Sequence, residues 1–172
     1  ARFQREAKVV AALRHPNIVQ IFDFDALEGH PYIVMEYLKG PTLSTYLRNL
    51  HDRGERIPPH QVARLLKALT AALDYAHEQG VIHRDIKPEN IMIRKDGIVQ
   101  IMDFGLAKLR ASRASRLTKE GSTVGTAGYM SPEQGMGLDT VDAQADVYSL
   151  GVMVYQMLTN KMPYSAETPL GV

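Results

Sequence analysis

The feature that most constrains the fold is a predicted β-hairpin with a polar loop at its open end. Residues 90–105, NIMIRKDGIVQIMDFG, alternate apolar and polar side chains around Asp96-Gly97, a pair that favours a tight turn. The preceding loop at 83–90, HRDIKPEN, holds an aspartate, a lysine and an asparagine. These residue types also occur in ordinary surface turns. Because a hairpin supports the loop, we interpret it as part of a functional site.

The composition is that of an ordinary globular protein. The chain has 172 residues, of which 45% are apolar, and a formal net charge of +1. Such a balance gives no reason to expect binding to nucleic acid or to an anionic membrane. The absence of cysteine excludes disulfides, thiol nucleophiles and cysteine-bound zinc, and suits a reducing compartment. We expect neither a membrane span nor a signal peptide within this sequence.

The remaining patterns predict an α+β chain without internal repeats. Residues 2–13 suit a helix that ends before Pro16-Asn17. The segments IVQIFDF and PYIVMEYL suit two strands joined around residues 28–30. A short helix should begin near Thr42, because a threonine hydroxyl can cap the first turn.

Two longer helices should supply much of the core. The first lies between Pro58-Pro59 and Gly80, and its predicted apolar face comprises Val62, Leu65, Leu66, Leu69, Leu73 and Ala76. The second begins near Thr140, and the residues expected to point inward are Val147, Leu150, Val154, Met157 and Leu158. Residues 106–127 lack periodicity, and a connection of that length is either disordered or functional.

The aspartates suggest a chemistry for the polar loop. A hairpin would bring Asn90 and Asp103 side by side, so that their oxygens could hold Mg²⁺. Asp85 would stand across the cleft, free of metal, to orient an attacking hydroxyl and accept its proton. Lys87 could neutralise charge on a transferring phosphoryl group. Each residue alone is better explained by a structural role, but their joint spacing favours phosphoryl transfer.

Three motifs in order, HRDIKPEN, DFG and GTAGYMSPE, resemble the eukaryotic-like Ser/Thr protein kinase catalytic domain. The resemblance covers essentially the whole chain. It implies a two-lobed kinase-like fold that transfers the γ-phosphoryl group of ATP to Ser or Thr hydroxyls of protein substrates, with ATP and Mg²⁺ as cofactors. It also implies that Asp85 is the catalytic base, that Asn90 and Asp103 bind the metal, and that Lys87 contacts the γ-phosphate.

The resemblance divides the chain into two parts. Residues 1–38 match part of the small lobe, with the αC helix, two strands and the start of the hinge. Residues 39–172 match an incomplete, mainly helical large lobe that contains the catalytic loop, the DFG motif, the activation segment and helix αF. We therefore expect a fragment of a longer kinase of bacterial origin, with a cytoplasmic catalytic domain whether or not the whole protein has a membrane anchor.

Further residues match nucleotide-binding positions of the family. Glu6 corresponds to the αC glutamate that pairs with the ATP-binding lysine, and Met35 to the gatekeeper. Glu36 and Leu38 would offer hinge backbone groups to the adenine, and Met92 would touch it from below.

Other matches concern the interior of the domain. Val10, Ile21, His83 and Phe104 match the stacked apolar spine that joins the lobes, and Asp146 matches the αF residue that anchors the catalytic loop.

The irregular segment matches the activation segment. It contains one acidic residue and five basic ones, which are Lys108, Arg110, Arg113, Arg116 and Lys119. Because these positive charges repel one another, the segment should be poorly ordered unless it is phosphorylated. The candidate phosphorylation sites are Ser112, Ser115, Thr118, Ser122 and Thr123, with autophosphorylation in trans as one route. Arg84 would receive the phosphate, and Thr126 would position the substrate.

Two departures from the family pattern stand out. The glycine-rich loop, the ATP-binding lysine and the arginine expected to pair with Glu133 are not in this sequence, and Ser131-Pro132-Glu133 replaces Ala-Pro-Glu. We therefore expect residues 1–172, expressed alone, to show negligible kinase activity and to unfold easily.

Three other classes of protein fit the sequence less well than a protein kinase. A small-molecule phosphotransferase shares the two aspartates but not DFG followed by GTAGYMSPE. A pseudokinase that serves as a binding or regulatory module should have lost Asp85, Asn90 or Asp103, and all three are present. A structural scaffold has no repeat to support it.

Overall fold

The computed structural model describes residues 9–27, 30–104, 128–138 and 141–164. After a helical turn at 9–12 come strands β1 (Ile21–Leu27) and β2 (His30–Met35), and helices α1 (Leu43–Asp52) and α2 (Pro59–Glu78). A 3₁₀ turn (Pro88–Asn90) leads into strands β3 (Ile91–Ile93) and β4 (Val99–Ile101), and helices α3 (Pro132–Gly135) and α4 (Gln144–Thr159) follow. The predicted α+β class is confirmed. Within these ranges, no helix has both the length and the apolarity to cross a bilayer.

Both predicted hairpins are present. Strands β1 and β2 pair antiparallel, with a register shift between Ile21 and Asp23. Strands β3 and β4 also pair antiparallel, and Met92 lies opposite Gln100. Gly97 occupies the turn with a φ of +82°, a conformation that glycine adopts without strain.

Other segments extend the β3–β4 hairpin on both sides. On the β3 side, Ile93 N donates to Pro41 O at 2.9 Å. On the β4 side, Val19 N donates to Ile101 O at 2.9 Å, and Ile101 N donates to Asn17 O at 2.8 Å. The hairpin therefore has neighbours at both edges, which fixes the positions of its ends.

The helices supply the core as predicted for α1 and α2. The Thr42 hydroxyl accepts a hydrogen bond from Thr45 N at 3.1 Å and so caps α1. Helix α2 begins with Pro59 and is followed by Gly80 at a φ of +74°. Its buried residues are Val62, Leu69, Ala72, Leu73 and Ala76, and the predicted Leu65 and Leu66 are half-buried.

The inward face of α4 was predicted wrongly in part. Leu150 and Met157 are buried and Val154 is half-buried, but Val147 and Leu158 are 56% and 40% exposed. The buried stripe instead includes polar residues, since the Ser149 hydroxyl donates to Tyr129 O at 2.7 Å and Asp146 is fully buried. Hydrogen bonds, and not apolar periodicity alone, set the rotation of this helix.

Gly40 provides a test of the packing around the hairpin. A Cβ at this position would lie 2.0 Å from Ile93 O, a backbone atom of β3. We therefore expect Gly40→Ala to lower the free energy of unfolding by about 1–3 kcal/mol, the usual cost of overpacking. Gly151→Ala in α4 is the control, because its Cβ would meet nothing within 4 Å. Urea denaturation of the intact protein should show Gly151→Ala unchanged or stabilised by about 0.5–1 kcal/mol; equal effects of the two substitutions would contradict the close approach.

Candidate active site

The polar loop is anchored from below by Asp146 of α4. Its Oδ1 accepts from Arg84 N at 2.7 Å, and its Oδ2 accepts from His83 N at 2.9 Å. His77 Nε2, near the end of α2, lies 2.8 Å from the same Oδ2 and must be the donor to this carboxylate. The side chain of Asp146 is fully buried, and a buried carboxylate is tolerated only with such partners. The predicted contact with the loop backbone is present, whereas the role of His77 was not predicted.

His83 is locked in one neutral tautomer. Its Nε2 lies 2.7 Å from Met102 O and therefore donates to it, and its Nδ1 accepts from Asp85 N at 3.1 Å. Complete burial lowers the pKa of His83, although the carboxylate of Asp146 acts in the opposite direction. The imidazole thus connects the loop backbone to the end of β4.

The residues matched to the apolar spine are all buried. The imidazole of His83 and the ring of Phe104 meet edge to face, with centroids 4.7 Å apart. Val10 and Ile21 belong to the same core cluster as Phe104.

Asp85, Lys87 and Asn90 form one connected group. Lys87 Nζ lies 2.9 Å from Asp85 Oδ2, and Asn90 Nδ2 donates to the same oxygen at 3.0 Å. Asn90 Nδ2 also donates to Asp85 O at 2.7 Å. Asp85 was expected across the cleft from Asn90, and this placement was wrong, because the 3₁₀ turn folds the loop back and brings the amide directly to the carboxylate. Asn90 is buried, and the side chains of Asp85 and Lys87 remain partly exposed at 29% and 16%.

Asp103 follows β4 beside this group. Met102 N donates to Asn90 O at 2.8 Å, so the two strand ends meet as predicted, one residue before Asp103. Asp103 has a φ of +61°, a left-handed conformation that is uncommon outside glycine and that often marks functional sites. The carboxylates of Asp85 and Asp103 both act to raise the pKa of His83 against the larger effect of burial.

Arg84 also has a left-handed backbone, with a φ of +67°. Its carbonyl accepts from Gln134 Nε2 at 2.8 Å, which ties α3 to the loop, and its Nη2 donates to Val141 O at 3.2 Å. The Nε atom is buried and has no hydrogen-bond partner within the ranges that the structure covers. The contact from Gln134 was not predicted, because no sequence signal links positions 50 residues apart.

The residues matched to the hinge follow β2. Glu36 N donates to Gln20 O at 2.8 Å, and Leu38 is half-buried. Met35 is 36% exposed, whereas Met92 in β3 is only 9% exposed. Several other predicted residues lie outside the described ranges: Glu6, Ser112, Ser115, Thr118, Ser122, Thr123 and Thr126.

Comparison with known proteins identifies the class. The model of the protein kinase domain family matches residues 1–170. The chain therefore belongs to the protein kinase domain family, as the motifs predicted.

Individual relatives are bacterial Ser/Thr kinases. The chain is 43% identical over 99% of its length to serine/threonine-protein kinase PknB of Mycolicibacterium smegmatis. It is 42% identical over its whole length to a probable serine/threonine-protein kinase PknB of Bifidobacterium longum. A probable serine/threonine-protein kinase of Streptomyces coelicolor is 40% identical over the same extent. The chain spans about a quarter of the length of these relatives, at 27%, 26% and 25% respectively.

The anchor makes a first prediction for this site. Asp146→Asn keeps the shape of the side chain but replaces one acceptor oxygen with an NH₂, so that either Arg84 N, or His77 and His83 N together, lose their acceptor. We expect the free energy of unfolding to fall by at least about 1–3 kcal/mol, the usual penalty for unpaired buried polar groups. Asp142→Asn is the matched control, because Asp142 is exposed and asparagine can replace its bond to Gln144 N. Urea denaturation that finds both variants equally stable would contradict the anchoring role.

The lowered pKa of His83 predicts a pH dependence of stability. Below the unfolded pKa of about 6.5, the unfolded chain binds a proton that the native state excludes. The contribution of His83 to the free energy of unfolding is therefore fully present above about pH 6.5, and it is lost as the pH falls toward the lower native pKa. We expect His83→Phe to be less stable at pH 8 but to lose less further stability between pH 6.5 and 5 than the parent. Denaturant titrations at these pH values would contradict this if the free energy of unfolding fell equally in the variant and the parent between pH 6.5 and 5.

Proposed function

We propose that this chain is the catalytic part of a Ser/Thr protein kinase that transfers the γ-phosphoryl group of ATP to protein Ser or Thr hydroxyls. Members of this family generally use ATP and a divalent metal, and the relatives are named serine/threonine kinases. The observation that carries the proposal is the arrangement of Asp85 Oδ2 between Lys87 Nζ and Asn90 Nδ2, at 2.9 and 3.0 Å, beside the end of β4. A pseudokinase role is not favoured, because Asp85, Asn90 and Asp103 are all present.

In this proposal Asp85 is the catalytic base. Its contacts with Lys87 and Asn90 both use Oδ2, so the carboxylate is held in one orientation without reliance on substrate. Held in that way, it can accept a hydrogen bond from a substrate hydroxyl and then its proton. Lys87, which forms an ion pair with Asp85, would contact the γ-phosphate and stabilise the charge on the transferred group.

Asn90 and Asp103 would hold Mg²⁺. The fit rests on the amide of Asn90, whose Nδ2 is committed to Asp85 O and Oδ2, so that Oδ1 is the atom left to act as a ligand. Asp103, half-buried next to Phe104, would supply the carboxylate oxygen. When bound, Mg²⁺ neutralises charge on the phosphates of the nucleotide.

The nucleotide base would bind between the two hairpins. Residues 1–38 and 39–172 would then be the two partial lobes, with Glu36 and Leu38 offering hinge backbone groups to the adenine. Met92 is the apolar floor in this proposal, and its nearly complete burial in β3 suits that role. Met35 would be the gatekeeper, and Glu6 would pair with the ATP-binding lysine.

Regulation by phosphorylation is part of the proposal. Arg84 has a guanidinium whose Nη2 bonds a backbone carbonyl and whose Nε is buried and, within the described ranges, without a partner, so it retains capacity for a further acceptor. A phosphate on Thr118, Ser122 or Thr123 would supply that acceptor, by autophosphorylation in trans or by another kinase. Thr126 would position the substrate. The partners are ATP and protein substrates, and the proposed location of the catalytic domain is the cytoplasm.

The catalytic roles predict different effects of two substitutions in the intact protein. Asp85→Asn should reduce the rate of phosphoryl transfer by about 10²- to 10⁴-fold and leave ATP affinity nearly unchanged. Asp103→Asn should weaken Mg-ATP binding as well. Asp74→Asn, an exposed carboxylate on α2, is the control and should behave like the parent. Radiolabelled phosphate transfer and calorimetric ATP titration would measure both quantities, and an Asp85→Asn enzyme with the parental rate would refute the assignment.

The regulatory role predicts phosphate on the segment between residues 112 and 123. Mass spectrometry of active, intact enzyme should find it on Thr118, Ser122 or Thr123. Replacing these three residues with Ala should lower activity, and Arg84→Met should abolish the difference between phosphorylated and dephosphorylated enzyme. Full activity in enzyme shown to lack phosphate would rule out this regulation.

A further inference from the structure

A polar network joins the hinge segment to the β3–β4 hairpin. Each carboxylate oxygen of Glu36 has its own partner: Oε1 lies 3.7 Å from Arg94 Nη1, and Oε2 accepts from Gln100 Nε2 at 3.4 Å. Arg94 is itself oriented by Asp96, with Nη2 2.8 Å from Oδ2. A single side chain after β2 therefore contacts residues from both halves of the second hairpin.

Gln100 places a polar side chain at a buried position, where an unpaired polar atom lowers stability. It lies in the middle of β4, is 4% exposed, and its Oε1 is buried without a hydrogen-bond partner in the described part of the chain. Turning the amide would direct Oε1 at the carboxylate of Glu36, and two acceptors repel each other. The charge of Glu36 therefore fixes the amide orientation and leaves Oε1 unpaired. Since an apolar residue of the same size would avoid this cost, packing alone does not explain glutamine here.

The network lies on the path between the two proposed ends of the nucleotide site. Glu36 begins the segment proposed to bind the adenine, and the β3–β4 hairpin carries Asn90 and Asp103 at its open end. Backbone bonds make a parallel link, because Glu36 N donates to Gln20 O and the neighbouring Val19 N donates to Ile101 O. The side chains of Glu36 and Gln100 add a second connection between the hinge and the hairpin. Because Met92 of β3 lies opposite Gln100 of β4, the two residues share one face of the hairpin.

We propose that Glu36 is a positioning residue: through Arg94 and Gln100, its carboxylate sets the spacing between the adenine-binding backbone and the metal ligands. This inference rests on the proposed function. A ligand that spans both ends, a nucleoside triphosphate with Mg²⁺, depends on that spacing. Adenosine, which would contact the hinge and Met92 but neither Asn90 nor Asp103, does not.

Calorimetric titration of the intact protein with adenosine and with Mg-ATP tests the inference. Arg94→Met removes a partly exposed ion pair with Glu36, and Gln100→Met removes a hydrogen bond to its carboxylate. Each substitution should weaken Mg-ATP binding about 2- to 5-fold. Adenosine affinity should change by less than about 1.5-fold. The control is Arg53→Met, which removes a surface ion pair with Glu55 (Nη2 to Oε2, 3.2 Å). This pair does not involve the hinge, so the substitution should alter neither affinity. Gln100→Met should also leave the free energy of unfolding unchanged or raised, which separates positioning from stability.

A double variant completes the test. In a Glu36→Gln background, Arg94→Met should weaken Mg-ATP binding no further, because its partner is already neutral. Equal losses for adenosine and Mg-ATP, additive effects in the double variant, or unchanged Mg-ATP affinity in both single variants would overturn the positioning role. A parent protein that binds neither ligand would overturn the proposed function together with it. A parent that binds both, with variants that match it, would overturn the positioning role alone.

Discussion

The arrangement of the site depends on one buried carboxylate. Asp146 accepts hydrogen bonds from the backbone of His83 and Arg84 and from the His77 side chain, at 2.7–2.9 Å. These bonds compensate the burial of its charge and hold the loop in a left-handed conformation at Arg84 that it would not otherwise prefer. The loop in turn directs Asp85 toward Lys87 and Asn90, so the geometry of the proposed base is determined by a residue that need not touch substrate.

The β3–β4 hairpin is the second determinant, because it joins the loop to the rest of the domain. Its open end brings Asn90 next to the residue before Asp103, and its edges are bonded to segments at 17–19 and 41. A rigid platform of this kind suits a site whose proposed chemistry needs metal ligands at fixed separation. The close approach of Gly40 to Ile93 O belongs to the same packing requirement.

The sequence predicted those features that are encoded locally. The Asp96-Gly97 turn, the Thr42 cap and the apolar face of α2 each depend on neighbouring residues, and all are present. Features that depend on distant partners were missed, including the contact of His77 with Asp146 and the rotation of α4 that exposes Val147. The direct contact between Asp85 and Asn90 also escaped prediction, because hairpin pairing says nothing about how the preceding loop folds back. The spacing of Asp85, Lys87, Asn90 and Asp103 suggested phosphoryl transfer, and the family motifs assigned the particular role of each residue.

Met102 shows how a link within the site can be independent of side-chain identity. Its N–H is bonded to Asn90 O and its carbonyl accepts from His83 Nε2, so both backbone groups connect parts of the site. Any residue except proline can supply this pair of groups. Evolutionary drift could therefore replace the methionine many times over without altering the connection, and comparison of aligned side chains would give no sign of it.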